Sequence, residues 1–241
     1  MTTFASDYPG AIVVEAAWYG YWDGSGQTIY NTPAAWCLHT PEEPADDYPS
    51  TPYYFSTTDR RASTTYFVSS LGFVFQCVPE NQGAYANARQ GVPGRFDWEL
   101  SGWNLNLQTL SVEIEGFANT IHQTMPRGSP QWKALAQLMA HRCKALGFPP
   151  ERTFGHVEVS SQRTDPGTLN KAALIEDVQK EMIMGNILAR LVVRDGDPYV
   201  YADLKQYLGH ITDPALITDW SSVVRLPKTD TIWQKPRVTI G

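Results

Sequence analysis

"TLSVEIEGF", Thr109 to Phe117, is the stretch on which the reading of this 241-residue chain turns. Leu110, Val112 and Ile114 alternate with Ser111, Glu113 and Glu115. A period of two is that of a β-strand, so the apolar residues share one face and both glutamates lie on the other. The plainest reading of such acids is the solvent face of an edge strand, and it is kept for Glu115. Glu113 has a second reading, as a proton-handling group on an exposed strand face.

Working outward, PAAWCLH (33–39) is a short apolar run ending at His39 and reads as a buried strand. STTYFVSSLGFVFQCVPE (63–80) reads as a hairpin turning near Leu71-Gly72, and AIVVEAAWY (11–19) as a further strand. TPEEPADDYPSTPYY (40–54), rich in Pro and acid, reads as a loop, and so does the stretch from 81 to 104. SPQWKALAQLMAHRCKALG (129–147) predicts a helix. Ser129 can cap it and Pro130 suits its first turn; Trp132, Leu135, Met139, Cys143 and Leu146 form its apolar stripe, and Gly147 ends it. A second helix is expected from about Asn170 through Met184. The fold class expected is α/β, a central mixed β-sheet flanked by helices.

The texture changes after Met184. Short runs of Val, Tyr and Ile stand between Gly, Asp and Pro, so a boundary is expected near Gly185, with residues 1–185 as one domain and 186–241 as a small C-terminal module. In the module, paired strands are expected around Gly-Asp and Leu-Gly turns, with a helical stretch at DPALITDW (213–220).

Composition narrows the function classes. Apolar residues make up 42% of the chain, enough for a sizeable core. The net charge is −6 and no Lys/Arg run supplies a phosphate-neutralising stripe, which argues against nucleic acid as a partner. The three cysteines, Cys37, Cys77 and Cys143, contain no CxxC pair and argue against a disulfide framework or a four-cysteine zinc site. No secretory signal is read in the first residues, where Asp7 and Glu15 interrupt the apolar run, and no membrane-inserting segment is read anywhere. The expectation is a protein made in the cytoplasm.

"FGHVEVSSQRTDPG" (154–167) raises the question of a metal. A zinc hydrolase needs three protein ligands and an open position for water, and imidazole and carboxylate both suit zinc. His39, His156 and Asp165 would fill the three positions, with Glu113 as base for the water and Arg163 as the cation beside a developing oxyanion. On these residues alone His39 reads first as a packed strand-end histidine, and a His followed nine residues later by an Asp also occurs by chance. His122, His141 and His210 read as structural or exposed, and Cys37 as a small buried residue. The aromatics of 18–30 and 85–103 read either as core or as a groove that stacks on sugar rings.

From about residue 33 to 178 the chain resembles the type 2 N-acetylmuramoyl-L-alanine amidases, which share their fold with peptidoglycan recognition proteins and include many phage endolysins. The matching pieces occur in family order. "WCLHTPE" (36–42) looks like the strand ending in the first zinc histidine, and "ASTTYFVSSLGFVFQCVPE" (62–80) like the family's hairpin. "AYANA" (84–88) falls where the family often has Ala-Trp-His-Ala. "LSVEIEG" (110–116) looks like its glutamate strand, and "FGHVEVSSQRTDPG" like its His…Lys-x-Asp-Pro-Gly loop.

The resemblance implies one Zn2+ held by His39, His156 and Asp165, with Glu113 as catalytic base. It implies hydrolysis of the amide between N-acetylmuramic acid and L-alanine in bacterial peptidoglycan. The chain departs from the family at three positions. Arg163 replaces a lysine, which keeps the charge but not a readily lost proton. Thr65 replaces the hairpin histidine, and Ala86 or Asn87 replaces the histidine of Ala-Trp-His. The resemblance makes the last of these a substrate-pocket position in some members, so Asn87 is the substrate-binding residue it implies. The resemblance points to a phage endolysin, acting on the cell wall and released by a separate membrane-permeabilising protein. The alternative is a non-catalytic peptidoglycan-binding protein of the same fold.

Overall fold

The structure is a computed structural model. It describes residues 4–45, 50–87, 104–160 and 162–187, together with the backbone of five C-terminal strands within 191–240. The chain divides into two compact units, 1–179 and 180–241.

The first unit is built on strands β1 (Ile12–Val13), β4 (Ala35–His39), β5 (Tyr66–Val68), β6 (Val74–Gln76), β7 (Thr109–Ile114) and β8 (Thr153–Gly155). They form one sheet in the order β1-β6-β5-β7-β4-β8. Only β5 and β6, the hairpin, are antiparallel; the other neighbours run parallel, so the sheet is mixed as expected. A separate two-stranded ribbon pairs β2 (Tyr21–Trp22) with β3 (Thr28–Ile29). The expected strand over 11–19 is reduced to the two residues of β1, because only Ile12 and Val13 pair with β6.

The 109–117 stretch is no edge strand. β7 lies between β5 and β4, paired on both sides, and both of its faces are covered, the usual state of parallel strands. The solvent-face reading of Glu115 is therefore wrong. Glu115 is fully buried just past the strand, and its Oε2 accepts from the Ser70 amide. Glu113 is half-buried rather than exposed.

The helix predicted over 129–147 is α3 (Pro130–Leu146). Ser129 accepts from the Trp132 amide, Pro130 opens the first turn, and Gly147 closes the helix in the left-handed region at φ 78°. Trp36 of β4 donates its indole N–H to Cys143 of α3 at 3.3 Å, so α3 covers the face that carries Trp36 and Leu38. The opposite face carries Ala35 and Cys37 into a core with Leu105, Phe154 and Val159. The second expected helix is α5 (Lys171–Ile187). Short helices α2 (Ile121–Thr124) and α4 (His156–Val159) complete this unit with α1 (Ser50–Thr57).

Helix α1 corrects the reading of 40–54 as loop throughout. Pro52 sits in its first turn, where no amide donor is required, and Thr51, Pro52 and Phe55 are buried beneath it. Ser50 donates to the Glu43 carboxylate, which anchors the start of the helix to the acidic segment before it.

The second unit holds a five-stranded sheet, β12-β9-β10-β11-β13, made of β9 (Leu191–Arg194), β10 (Val200–Asp203), β11 (Leu208–Ile211), β12 (Val224–Leu226) and β13 (Arg237–Ile240). β9, β10 and β11 pair antiparallel in sequence. Leu208-Gly209, expected as a turn, lies inside β11. The expected helix at 213–220 and the loop residues 88–103 lie outside the described residues.

Candidate metal and catalytic site

Parallel strands bring their C-terminal ends to one edge of a sheet, where open α/β folds bind ligands. Here β7, β4 and β8 are consecutive. His39, the last residue of β4, is in register with Glu113 of β7, so the two side chains rise from the same face. Gly155 ends β8, and His156 follows it immediately as the first residue of α4. Alternation along β4 sends Ala35 and Cys37 into the core and His39 out at its end.

Asp165 closes the arrangement from the far end of a loop. Its carbonyl accepts from the Val157 amide at 2.9 Å, which clamps the loop back on the start of α4. The clamp leaves no room for side chains at two positions. A Cβ on Gly155 would lie 2.5 Å from Pro166 Cδ, and one on Gly167 would lie 2.0 Å from the Ala118 carbonyl oxygen. Gly167 also has φ +57°, which L-residues rarely adopt. The Asp165-Pro166 peptide is cis.

His39 Nδ1 lies 3.1 Å from Asp165 Oδ2, and His156 Nδ1 lies 3.2 Å from the same oxygen. The two imidazoles meet edge to face with centroids 4.4 Å apart. All three residues are buried, and one ligand atom from each lies within 4.8 Å of the others. Burial lowers the His39 pKa and favours its neutral ring, against the pull of Asp165. Burial would raise the Asp165 carboxyl, but hydrogen bonds to His156 and His39 outweigh it and hold the group well below the usual carboxylate range. A neutral imidazole turned to a carboxylate oxygen can donate its N–H there, or offer a nitrogen lone pair that a cation held between the two would take up. The residues present thus fit a metal of zinc type.

Glu113 stands beside this cluster. Its Oε2 is buried without a hydrogen-bond partner among the described residues. Burial, then the charges of Asp165 and Glu43, push its pKa up to about 8, while Arg163 pulls it down. His39, His156, Asp165, Glu113 and Arg163 all line one pocket of about 370 Å³. Arg163 is exposed at its rim and makes no ion pair among the described residues. Sequence reasoning missed one wall of the pocket: Thr51, Tyr54 and Phe55 of α1. The aromatic triplet 53–55 was the available signal, masked by the Pro-rich acidic run in front of it.

Asn87, expected at the substrate, turns instead to His39: its Oδ1 lies 2.9 Å from His39 Nε2. Thr65 is buried against Ser111 and does not line the pocket. His122 bonds Thr168 and His141 packs on Tyr8, and neither belongs to the cluster or lines the pocket. Cys37 is buried in the core, and burial pushes its thiol well up. Of the aromatics left open between core and groove, Tyr21 packs on Tyr85 while Trp22 and Tyr30 are exposed.

Comparison with known proteins places the chain in a family. No curated protein matches the chain. Among solved structures, selenomethionine AmpD is similar over 74% of this chain and 99% of its own, at 17% identity and a TM-score of 0.52. AmiD from E. coli, solved with anhydro-N-acetylmuramic acid-L-Ala-D-γ-Glu-L-Lys, matches at 20% identity and a TM-score of 0.48, over 66% of this chain and 65% of its own. The Ph2119 endolysin of a Thermus scotoductus bacteriophage matches at 20% and 0.44, over 65% and 91%. Identities this low speak to the fold alone. The sequence profile described as N-acetylmuramoyl-L-alanine amidase matches residues 19–168, a span that includes every residue of the pocket, and the chain belongs to the N-acetylmuramoyl-L-alanine amidase family.

Proposed function

We propose that this amidase is zinc-dependent, that His39, His156 and Asp165 hold the metal, and that it serves as a phage endolysin. The observation that carries the metal assignment is the convergence of two imidazole nitrogens on a single carboxylate oxygen, at 3.1 and 3.2 Å. A zinc ion held there supplies Lewis acidity, acidifying water and polarising the scissile carbonyl.

The chain's own residues do the rest. Glu113, half-buried with an unpartnered oxygen, takes a proton from the attacking water and returns it to the leaving L-alanine nitrogen. Arg163 faces the negative charge that develops on the carbonyl oxygen and keeps its own proton throughout. The wall formed by Tyr54, Phe55 and Tyr85 offers apolar surface against the sugar and lactyl group.

The test is mass spectrometry of purified cell wall digested by the protein. Stem peptides with a free L-alanine amino terminus should appear, disappear after exhaustive chelation, and return with added zinc. Binding to wall without new amino termini would instead fit a recognition protein. The endolysin role rests on the sequence resemblance. Lysis from within a host should then require a co-expressed membrane-permeabilising protein, and lysis by the chain alone would count against it.

Residues 186–241 are proposed as a wall-targeting module. Tethering raises the local concentration of a catalytic domain at its substrate without altering its site. Truncation at Gly185 should leave cleavage of soluble muropeptide intact and weaken binding to whole walls. Unchanged wall binding by the truncated protein would exclude targeting.

A further inference from the structure

Asn87 belongs to a chain of hydrogen bonds whose direction is set at one end. The Leu105 carbonyl can only accept, so the Thr109 hydroxyl, 2.8 Å away, donates its single proton there. Thr109 Oγ1 is then left to accept, and it does so from Asn87 Nδ2 at 2.9 Å. That fixes which way the Asn87 amide points. Its Oδ1, an acceptor only, faces His39 Nε2 at 2.9 Å, so Nε2 carries the proton of the neutral ring. The remaining nitrogen, Nδ1, keeps its lone pair and is the one turned to Asp165.

The Asn87 main chain is tied down as well. Its amide donates to Asn106 Oδ1 at 2.7 Å and its carbonyl accepts from Asn106 Nδ2 at 3.0 Å. Asn106, itself buried, also donates to the Tyr21 hydroxyl at 2.9 Å. Both ends of the Asn87 side chain are engaged within the protein, one by Thr109 and the other by His39.

We infer that Asn87 is a positioning residue, and that the Leu105–Thr109–Asn87 relay presets the Nε2–H tautomer of His39 so that Nδ1 is ready to ligate before any metal arrives. The inference rests on the metal reading given above for its consequence, though not for its geometry. His156 has no corresponding partner on Nε2 among the described residues, so the preset falls on one of the two histidines. Partners of this kind on a ligating histidine are typically worth about 10–100-fold in metal affinity.

Two measurements test this: long-range 1H–15N NMR of the metal-free protein near pH 8, and zinc affinity by competition with a chelator. Wild-type His39 should show a single Nε2–H tautomer. Asn87→Ala should give a tautomer mixture and about 10–100-fold weaker zinc binding, with unchanged stoichiometry at saturation. Thr109→Val should move both readouts in the same direction, and Thr109→Ser, which keeps the hydroxyl, should restore them. A metal-free wild type with its proton on Nδ1, or an Asn87→Ala protein unchanged in both readouts, would overturn the relay. A wild type that takes up no zinc yet keeps the Nε2–H tautomer would support the relay while sinking the metal reading.

Discussion

Two buried charged clusters occupy opposite ends of the same parallel strands, and they are satisfied in opposite ways. At the N-terminal end, Glu80 receives Arg142 on both carboxylate oxygens and the Tyr66 hydroxyl at 2.8 Å, while Arg142 also donates to the Asp7 carbonyl at 2.8 Å. At the C-terminal end, Glu113 keeps an unpartnered buried oxygen, and His39 and His156 converge on one oxygen of Asp165. The first cluster is complete as it stands and fastens α3 to the sheet. The second sets two carboxylates beside two imidazoles, with Arg163 exposed at the rim of the same pocket. Burial of ionisable groups alone would not separate them; the count of donors against acceptors does.

Breaking each cluster should therefore have different consequences. Glu113→Gln should lower turnover by about 10²–10⁴-fold, the usual worth of a general base, with zinc content and melting behaviour kept. Steady-state kinetics alongside metal analysis checks this, and damage from Glu115→Gln of the same size would mean the wrong glutamate has been assigned. Glu80→Gln strands the Arg142 guanidinium in the interior and should cost about 3–5 kcal/mol of stability in denaturant titrations. Cleavage per folded molecule should stay unchanged, since neither Glu80 nor Arg142 lines the catalytic pocket.

The acidic excess at the site also predicts a pH signature in the metal-free protein. With its pKa raised from an ordinary 4.5 to about 8, Glu113 holds a proton in the native state that it loses when unfolded. Its contribution to stability is full below about pH 4.5 and lost as pH rises through 8. Metal-free Glu113→Gln should thus gain on wild type between pH 5 and 9, on the order of 1–3 kcal/mol once solvent contact is discounted. Equal pH profiles for the two proteins would remove the case for a strained carboxylate. The smallest effect is expected at the exposed rim. Arg163→Ala should reduce kcat about tenfold with little change in KM, and Arg163→Lys should retain most activity, because a screened charge rather than a fixed fork is needed. A folded but inactive Lys variant would point to bidentate contact instead.

Much of this was legible in the sequence wherever period and punctuation agreed. The alternation through Ile114 located β7, and Ser129, Pro130 and Gly147 bounded α3 to the residue. Ordered motifs named the residues that the fold brings to one edge. What misled was the assumption that alternating polarity means one wet face. Ser111 and Glu115 are buried because β7 lies inside the sheet with both of its faces covered, a fact of tertiary structure that no single strand encodes. Helix α1 escaped because Pro and acid signal a loop locally, whereas burial of Phe55 and the anchor from Ser50 to Glu43 are tertiary. The surroundings of Asn87 were hidden for a related reason. Its neighbours Thr109 and Asn106 lie far along the chain, so a position suggesting the substrate proved to face a histidine.

The clamp between Val157 and Asp165 has a consequence for how such an enzyme changes over time. Gln162, Arg163 and Thr164 line the pocket, yet the ends of their loop are pinned by main-chain atoms and by the Gly155–Pro166 contact. Exchange of Gln162 and Thr164 on either side of Arg163 alters what the pocket meets without moving the residues at either end of the loop. The segment behaves as a replaceable cassette on a fixed frame. A library randomised at 162 and 164, with Arg163 kept, should shift preference among cell-wall chemistries while the folded frame persists, which makes these two positions the natural place to retarget the enzyme.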